Sequence, residues 1–252
     1  MITLLTDFGT RDPYVAAMKG VIASLTAAPI FDLTHEIAPF DVLEAAWFLR
    51  NAAARWPEGT IFVCVVDPGV GTERKLIAVE QDGRTYLAPD NGLLSLVVAE
   101  GASAVSIENE KHFLPDGSST FHGRDRLAPA AAALANGTPM GDLGPPLPSI
   151  VRLPLAPPRY LDDHAEGTIV AVDRFGNLIT DIERSRLPFD GFTLRARDLA
   201  IDRLELNYGD AEPGAFMITG SSGCIEISIA NGSAADRLQL RRLEPVEIWK
   251  NR

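Results

Sequence analysis

Between residues 139 and 158 the chain carries Pro139, Pro145, Pro146, Pro148, Pro154, Pro157 and Pro158. Proline has no amide proton to give a ladder and ends helices, so this stretch reads as extended and the chain must fold in two parts around it. The expectation is an N-terminal domain over 1–145, a proline-rich linker over 146–160 and a C-terminal domain over 161–252. The full length of 252 residues is enough for two unequal domains with buried cores of their own.

Upstream of the prolines, short β-rich runs alternate with helical patterns. Residues 2–5 and 30–33 read as strands. Residues 14–26 have apolar spacing near 3.6 and read as a helix; residues 41–56 read as a second, with Asp41 as a candidate N-cap. The β-branched run 60–66 suits burial on both faces of a sheet. Strands 76–81 and 85–87 flank Asp82-Gly83, a hairpin signal. A short helix is expected over 93–99 and a longer one over 125–135. This alternation predicts an α/β domain with a mainly parallel central sheet. Downstream, runs at 167–172, 178–182, 192–196, 215–219, 224–229 and 246–249 predict a smaller all-β, barrel-like domain.

With 46% apolar and 23% charged residues, the chain has the composition of a soluble globular protein. Its first residues read as a strand rather than a signal peptide. No apolar run nears the roughly 18 residues that span a bilayer. The expected location is the cytoplasm, with no membrane partner. A formal charge of −11 argues against a nucleic-acid partner, since phosphate binding needs a positive surface. Cys64 and Cys224 lie in apolar runs and read as reduced core residues, with no zinc-ligand spacing around them.

Three segments look unlike core. Residues 116–126 hold His122 between Phe121 and Gly123, with Arg124, Arg126, Asp116, Asp125, Ser118, Ser119 and Thr120 nearby. Thr6-Asp7-Phe8-Gly9 follows the first strand, and residues 66–74, from Val66-Asp67-Pro68-Gly69 to Arg74, follow the strongest one. Ligands of open α/β sheets sit at the carboxyl ends of strands. Asp7 there suits a ribose diol, or caps a turn. Asp67 is a site carboxylate, or part of an Asp-Pro-Gly turn. His35 is a ligand or a structural group, and Asn91-Gly92 reads as a turn. Asp173-Arg174-Phe175-Gly176-Asn177 offers an aromatic and a carboxamide to a base, or forms a hairpin turn. There is no phosphate-cradling glycine loop, no HExxH and no nucleophile elbow.

Taken in order, these segments, together with Tyr14-Val15-Ala16-Ala17-Met18-Lys19-Gly20, Asp32-Leu33-Thr34-His35-Glu36-Ile37-Ala38-Pro39-Phe40, Pro89-Asp90-Asn91-Gly92 and Ser119-Thr120-Phe121-His122-Gly123-Arg124-Asp125, resemble one family. It is the S-adenosyl-L-methionine (SAM) hydroxide adenosyltransferases, relatives of the SAM-dependent fluorinase and chlorinase. The resemblance runs over nearly the whole chain. It implies hydrolysis of SAM to adenosine and L-methionine, without metal or redox cofactor, in a homotrimer whose sites lie at subunit interfaces. It places Asp67, Arg74 and His122 in catalysis and Asp7 on the ribose hydroxyls, with Phe40 beside the ribose or methionine. It places Phe175 on adenine and Asn177, with the backbone near Asn231 and Ser233, on the adenine edge. Asp173 would take the methionine amino group and Ser221-Ser222 its carboxylate, although the halogenases have Ser-Arg there. Asp67 in place of the halogenase tyrosine, Gly123 in place of serine and Phe40 in place of tryptophan favour the hydrolase branch, because a carboxylate repels halide. Alternatives are a SAM-dependent halogenase, a SAM- or adenosine-binding protein without turnover, and a metal phosphoesterase using Asp7, His35, Asp67 and His122.

Overall fold

The structure, a computed structural model, describes residues 1–209 and 211–251. The fold is mixed α/β and divides into two compact units, Met1–Pro154 and Leu155–Arg252. The first holds strands β1 (Ile2–Thr6), β2 (Ile30–Thr34), β3 (Ile61–Val65), β4 (Leu76–Gln81), β5 (Arg84–Pro89), β6 (Ala104–Ser106) and β7 (Pro146–Leu147). Its helices are α1 (Tyr14–Leu25), α2 (Val42–Ala53) and α3 (Ala128–Ala135).

These strands form one sheet in the order β2-β1-β3-β5-β4-β6-β7. The pairs β1–β2, β1–β3 and β3–β5 are parallel, whereas β5–β4, β4–β6 and β6–β7 are antiparallel. The sheet is therefore mixed, not mainly parallel as the alternation suggested. The cause is local. Asp82 and Gly83 both adopt positive φ, 49° and 68°, as a two-residue hairpin turn requires. So short a turn can join only antiparallel neighbours.

Side-chain alternation along the buried strands splits the core. Ile2, Leu4, Val63 and Val65 pack with Met18 and Ile22 of α1 and Ala128 and Ala131 of α3. Leu5, Phe62, Cys64 and Val66 pack with Ala45 and Leu49 of α2. Helix α2 starts where the sequence indicates, with the Asp41 carboxylate accepting the Glu44 amide at 2.9 Å. Glu44 reaches back to the Ala38 amide at 2.7 Å, so two otherwise unpaired donors near the helix start are satisfied.

Two expected helices differ. Residues 93–97 form successive turns and the helix does not form; the stretch is short, carries Val97-Val98 and runs into Gly101, which leaves little to propagate a nucleus. The other begins as a π-type turn, Gly123–Leu127, before α3. Pro129 has no amide with which to close an α-helical bond to the Asp125 carbonyl. That carbonyl accepts the Leu114 amide instead, at 2.9 Å.

The proline-rich stretch is not extended throughout: Met140–Leu143 form a 3-10 turn, and residues 146–153 are stitched to this unit. Strand β7 pairs with β6, Val151 N donates to Asp90 Oδ1 at 2.8 Å and Leu153 N to Ser95 Oγ at 2.8 Å. The Arg152 guanidinium caps the carbonyls of Ser95, Val98 and Ala99.

The second unit comprises β8 (Arg159–Tyr160), β9 (His164–Val172), β10 (Leu178–Glu183), β11 (Phe192–Ala196), β12 (Leu199–Ile201), β13 (Leu204–Glu205), β14 (Ala215–Thr219), β15 (Cys224–Ile229) and β16 (Pro245–Lys250). The main path of its sheet runs β12-β11-β16-β9-β10-β15-β14-β13, with β8 on β9. Ile169, Leu178, Leu194, Met217, Ile225, Ile227 and Ile248 fill its core. The unit is β-rich but also carries a short helix, α4 (Ala234–Leu238), which the all-β expectation omitted.

Candidate active site

Adjacent parallel strands β1 and β3 deliver Asp7 and Asp67 to the same edge of the sheet. Val63 and Val65 point to the α1/α3 side, and two-residue alternation carries Asp67 to that side as well. The π-type turn after His122 packs there. A Cβ on Gly123 would lie 3.1 and 3.2 Å from the Val65 methyls and 3.4 Å from Met18 Sδ. Gly123 therefore lets the turn sit close on the strand, besides lacking a hydroxyl. The result is a cavity of about 280 Å³ whose lining includes Asp7, Phe40, Asp67 and His122.

Asp67, Arg74 and His122 meet. Successive turns over residues 67–72 fold the loop back on itself, with Val70 N on Asp67 O and Thr72 N on Gly69 O. Gly71, at φ 81°, passes against the Ser119 carbonyl. This returns Arg74 to Asp67. Its Nε donates to both carboxylate oxygens at 2.9 Å, and its Nη2 donates to Oδ2. Nη2 also lies 2.8 Å from His122 Nδ1. A guanidinium has only donors, so Nδ1 must accept and the imidazole proton resides on Nε2. Burial, then the charges of Arg126 and Arg74, hold the His122 pKa below its ordinary 6.5, which agrees with a neutral ring. Arg124 and Asp125 form a support. Asp125, buried, takes both Arg124 and the Ser118 amide, and so fixes the loop before His122.

Asp7 Oδ2 accepts the Phe40 amide at 2.8 Å. Phe40 sits at φ 68°, a conformation uncommon for residues other than glycine, and is 70% exposed. An ionised carboxylate has about four acceptor positions, so Asp7 retains capacity for a diol. His35 is drawn away from the cavity, to Thr6 and Asp32. Among the described residues, no three His, Cys, Asp or Glu side chains are placed to share a metal ion. Asn91 is structural, its Nδ2 donating to the Val66 carbonyl at 2.8 Å.

One part of the site escaped the sequence reading. Phe8, Tyr14 and Phe121 line the cavity and contact one another edge to face or tilted, with centroids 5.5–5.7 Å apart. They come from three segments, and nothing in their spacing signals that they meet.

The remaining candidates lie in the second unit. Asp173 closes its own turn: Oδ1 accepts the amides of Phe175 and Asn177, and Oδ2 accepts Asn177 Nδ2 at 2.8 Å. Phe175, at the tip, is 77% exposed. A Cβ on Gly176 would lie 2.2 Å from Ser233 Oγ, so this turn meets the start of α4, where Ser233 caps Asp236 N at 3.0 Å. Asn231 adopts φ 53° just before it. Ser221 and Ser222 occupy the turn between β14 and β15. Glu226, not singled out in the sequence, is buried on β15 and accepts from Tyr208 Oη at 3.0 Å.

Fold and site together define a two-unit α/β protein that focuses a carboxylate, a guanidinium and a neutral imidazole at the carboxyl edge of its sheet. The chain belongs to the SAM hydroxide adenosyltransferase family: residues 2–144 match the family's N-terminal domain and residues 167–247 its C-terminal domain. It is 40% identical to an (R)-S-adenosyl-L-methionine hydrolase of Thermus thermophilus, over 98% of both chains. It is 30% identical to a fluorinase of an Actinoplanes species, over 74% of this chain and 73% of the relative. Among solved structures, an uncharacterized conserved protein from Thermotoga maritima superposes with a TM-score of 0.91 at 34% identity, covering 99% of this chain and all of the other. Among the described residues, no helix is long and apolar enough to cross a membrane.

Proposed function

We propose that the protein hydrolyses SAM, water attacking C5′ and releasing adenosine and L-methionine. The observation that carries this is the contact of Asp67, Arg74 and His122 at the cavity wall. Methionine leaves as a neutral thioether, so the departing group needs no acid and the reaction no cofactor. The difficulty lies in the nucleophile, since water must lose a proton as the new C–O bond forms. His122 Nδ1 already accepts from Arg74, which leaves Nε2–H to orient the water as a donor. Asp67 is then the base, taking the proton during attack and passing it to solvent. Arg74 fixes the carboxylate in two directions and steadies the charge that grows on the oxygen. A carboxylate in this position disfavours a halide nucleophile.

In this reading Asp7 holds the ribose hydroxyls and Phe40 packs against the ribose or methionine. The C-terminal unit recognises the rest: Phe175 stacks on adenine, Asn177 and the backbone near Asn231 and Ser233 meet its edge, Asp173 takes the amino group, and Ser221-Ser222 the carboxylate. The working form is a homotrimer in which a neighbouring copy's C-terminal unit completes each cavity. Phe40 and Phe175 support this, since each is a largely exposed aromatic residue. The buried thiols of Cys64 and Cys224 fit a reducing cytoplasm.

Incubation with SAM in ¹⁸O-water tests the reaction. Mass spectrometry is expected to find the label in the 5′-hydroxyl of adenosine, with methionine released in equal amount. Adenosine binding without any methionine release would instead mean a binding protein, and a halide-dependent nucleoside product would mean a halogenase.

A further inference from the structure

His35 is a buried imidazole that the mechanism leaves without a role. It follows β2, is 5% exposed, and touches the loop that carries Asp7 at both ends. Its carbonyl accepts the Gly9 amide at 2.7 Å. Its Nδ1 lies 2.9 Å from Thr6 Oγ1, which also accepts the Phe8 amide at 3.2 Å. On the far side, Nε2 lies 2.9 Å from Asp32 Oδ1, and Asp32 Oδ2 takes Lys19 Nζ at 2.6 Å.

We propose that His35 is a positioning residue for substrate binding: with Thr6 it clamps the two ends of the Thr6–Gly9 loop, so that Asp7 between them meets the ribose diol at a fixed place. The proposal rests on the reading that Asp7 receives the nucleoside part of SAM. The partners give the clamp a direction. An ionised carboxylate only accepts, so Nε2, 2.9 Å from Asp32 Oδ1, carries a ring proton. Nδ1 is then placed to accept the Thr6 hydroxyl proton, while the hydroxyl oxygen accepts from Phe8 N. Gly9 is held by the His35 backbone carbonyl, so the Thr6 arm is the part of the clamp that the side chain supplies.

Two conservative replacements separate the arms. Asparagine can offer its carbonyl where Nδ1 stands, whereas glutamine reaches only toward Asp32. The test is steady-state kinetics with SAM, together with calorimetric adenosine binding, for the wild type and the His35→Ala, His35→Asn and His35→Gln variants. His35→Ala is expected to raise both KM for SAM and Kd for adenosine about tenfold, with kcat within about twofold of wild type. His35→Asn should regain most of that affinity and His35→Gln little of it. Equal affinities across the series, or a loss confined to kcat, overturn the clamp. Should the alanine variant not fold, Thr6→Val, which keeps the shape and drops the hydroxyl, is expected to weaken adenosine binding to the same extent; an unchanged Kd there overturns the clamp as well. A wild type that binds adenosine but releases none from SAM defeats the proposed reaction, yet calorimetry still decides the role of His35.

Discussion

In the N-terminal unit, Asp67 and Arg74 share one loop but meet His122 from a distant segment, and the three hold one another through the fold. In the C-terminal unit, Asp173 and Asn177 stand four residues apart and satisfy each other within one turn. The first arrangement exists only when β3 and the residue 122 turn are packed, so its geometry is as rigid as the core beneath it. The second is local, and its most exposed part is the ring of Phe175. Under the proposed function, the contrast assigns each demand of the reaction to a different unit. Orienting water requires fixed polar groups, whereas gripping a flat base requires an aromatic face on a preformed turn.

The contrast can be broken at either end. The largest expected effect is at Asp67. Asp67→Asn keeps the shape but removes the proton acceptor, and kcat for SAM should fall by about 10²–10⁴-fold while adenosine affinity in calorimetry holds. Equal loss of both would place Asp67 in recognition. Arg74→Lys retains charge but loses the planar fork that spans Asp67 and His122; single-turnover measurements should show a rate lower by roughly 10- to 100-fold.

Acid pH probes the same network. His122 must be neutral to accept from Arg74, and its folded pKa lies below 6.5. Activity should therefore be level above that value and fall only as pH drops through the lowered pKa, by about tenfold per pH unit at its steepest. A pH–rate profile whose limb is centred above 6.5 would contradict a neutral, buried ring. In the other unit the effects are smaller. Phe175→Ala should raise KM about tenfold with kcat retained, the loss of one base-stacking contact; a kcat defect instead would sink the division of labour. Ser233→Ala should lower stability by about 1 kcal/mol in urea titration, because it removes the cap of α4.

Much of this was legible beforehand because it depends on short-range rules. Asp41 before an apolar helix, Asp82-Gly83 between strands and the buried run around Val63 each carry their structure locally. The strand order did not, because which strand of that hairpin, β4 or β5, pairs with β3 depends on long-range contacts. Asp67 and His122 were recognisable as polar groups that packing does not call for. Their tautomer and pairing were not, since these follow from where Arg74 ends after a loop of turns. The meeting of Phe8, Tyr14 and Phe121 left no trace in spacing, and Glu226 was hidden inside an apolar strand pattern.

The stitching of residues 146–153 has a consequence for anyone dividing this chain. A cut at 145, where the composition changes, would strip β7 from β6 and release Arg152 from the turns it caps. The fragment would then present an open strand edge, the feature that invites chains to add to one another. A usable boundary lies past residue 153, after the last of these ties, so part of what reads as tether serves as the selvedge of the first unit's sheet.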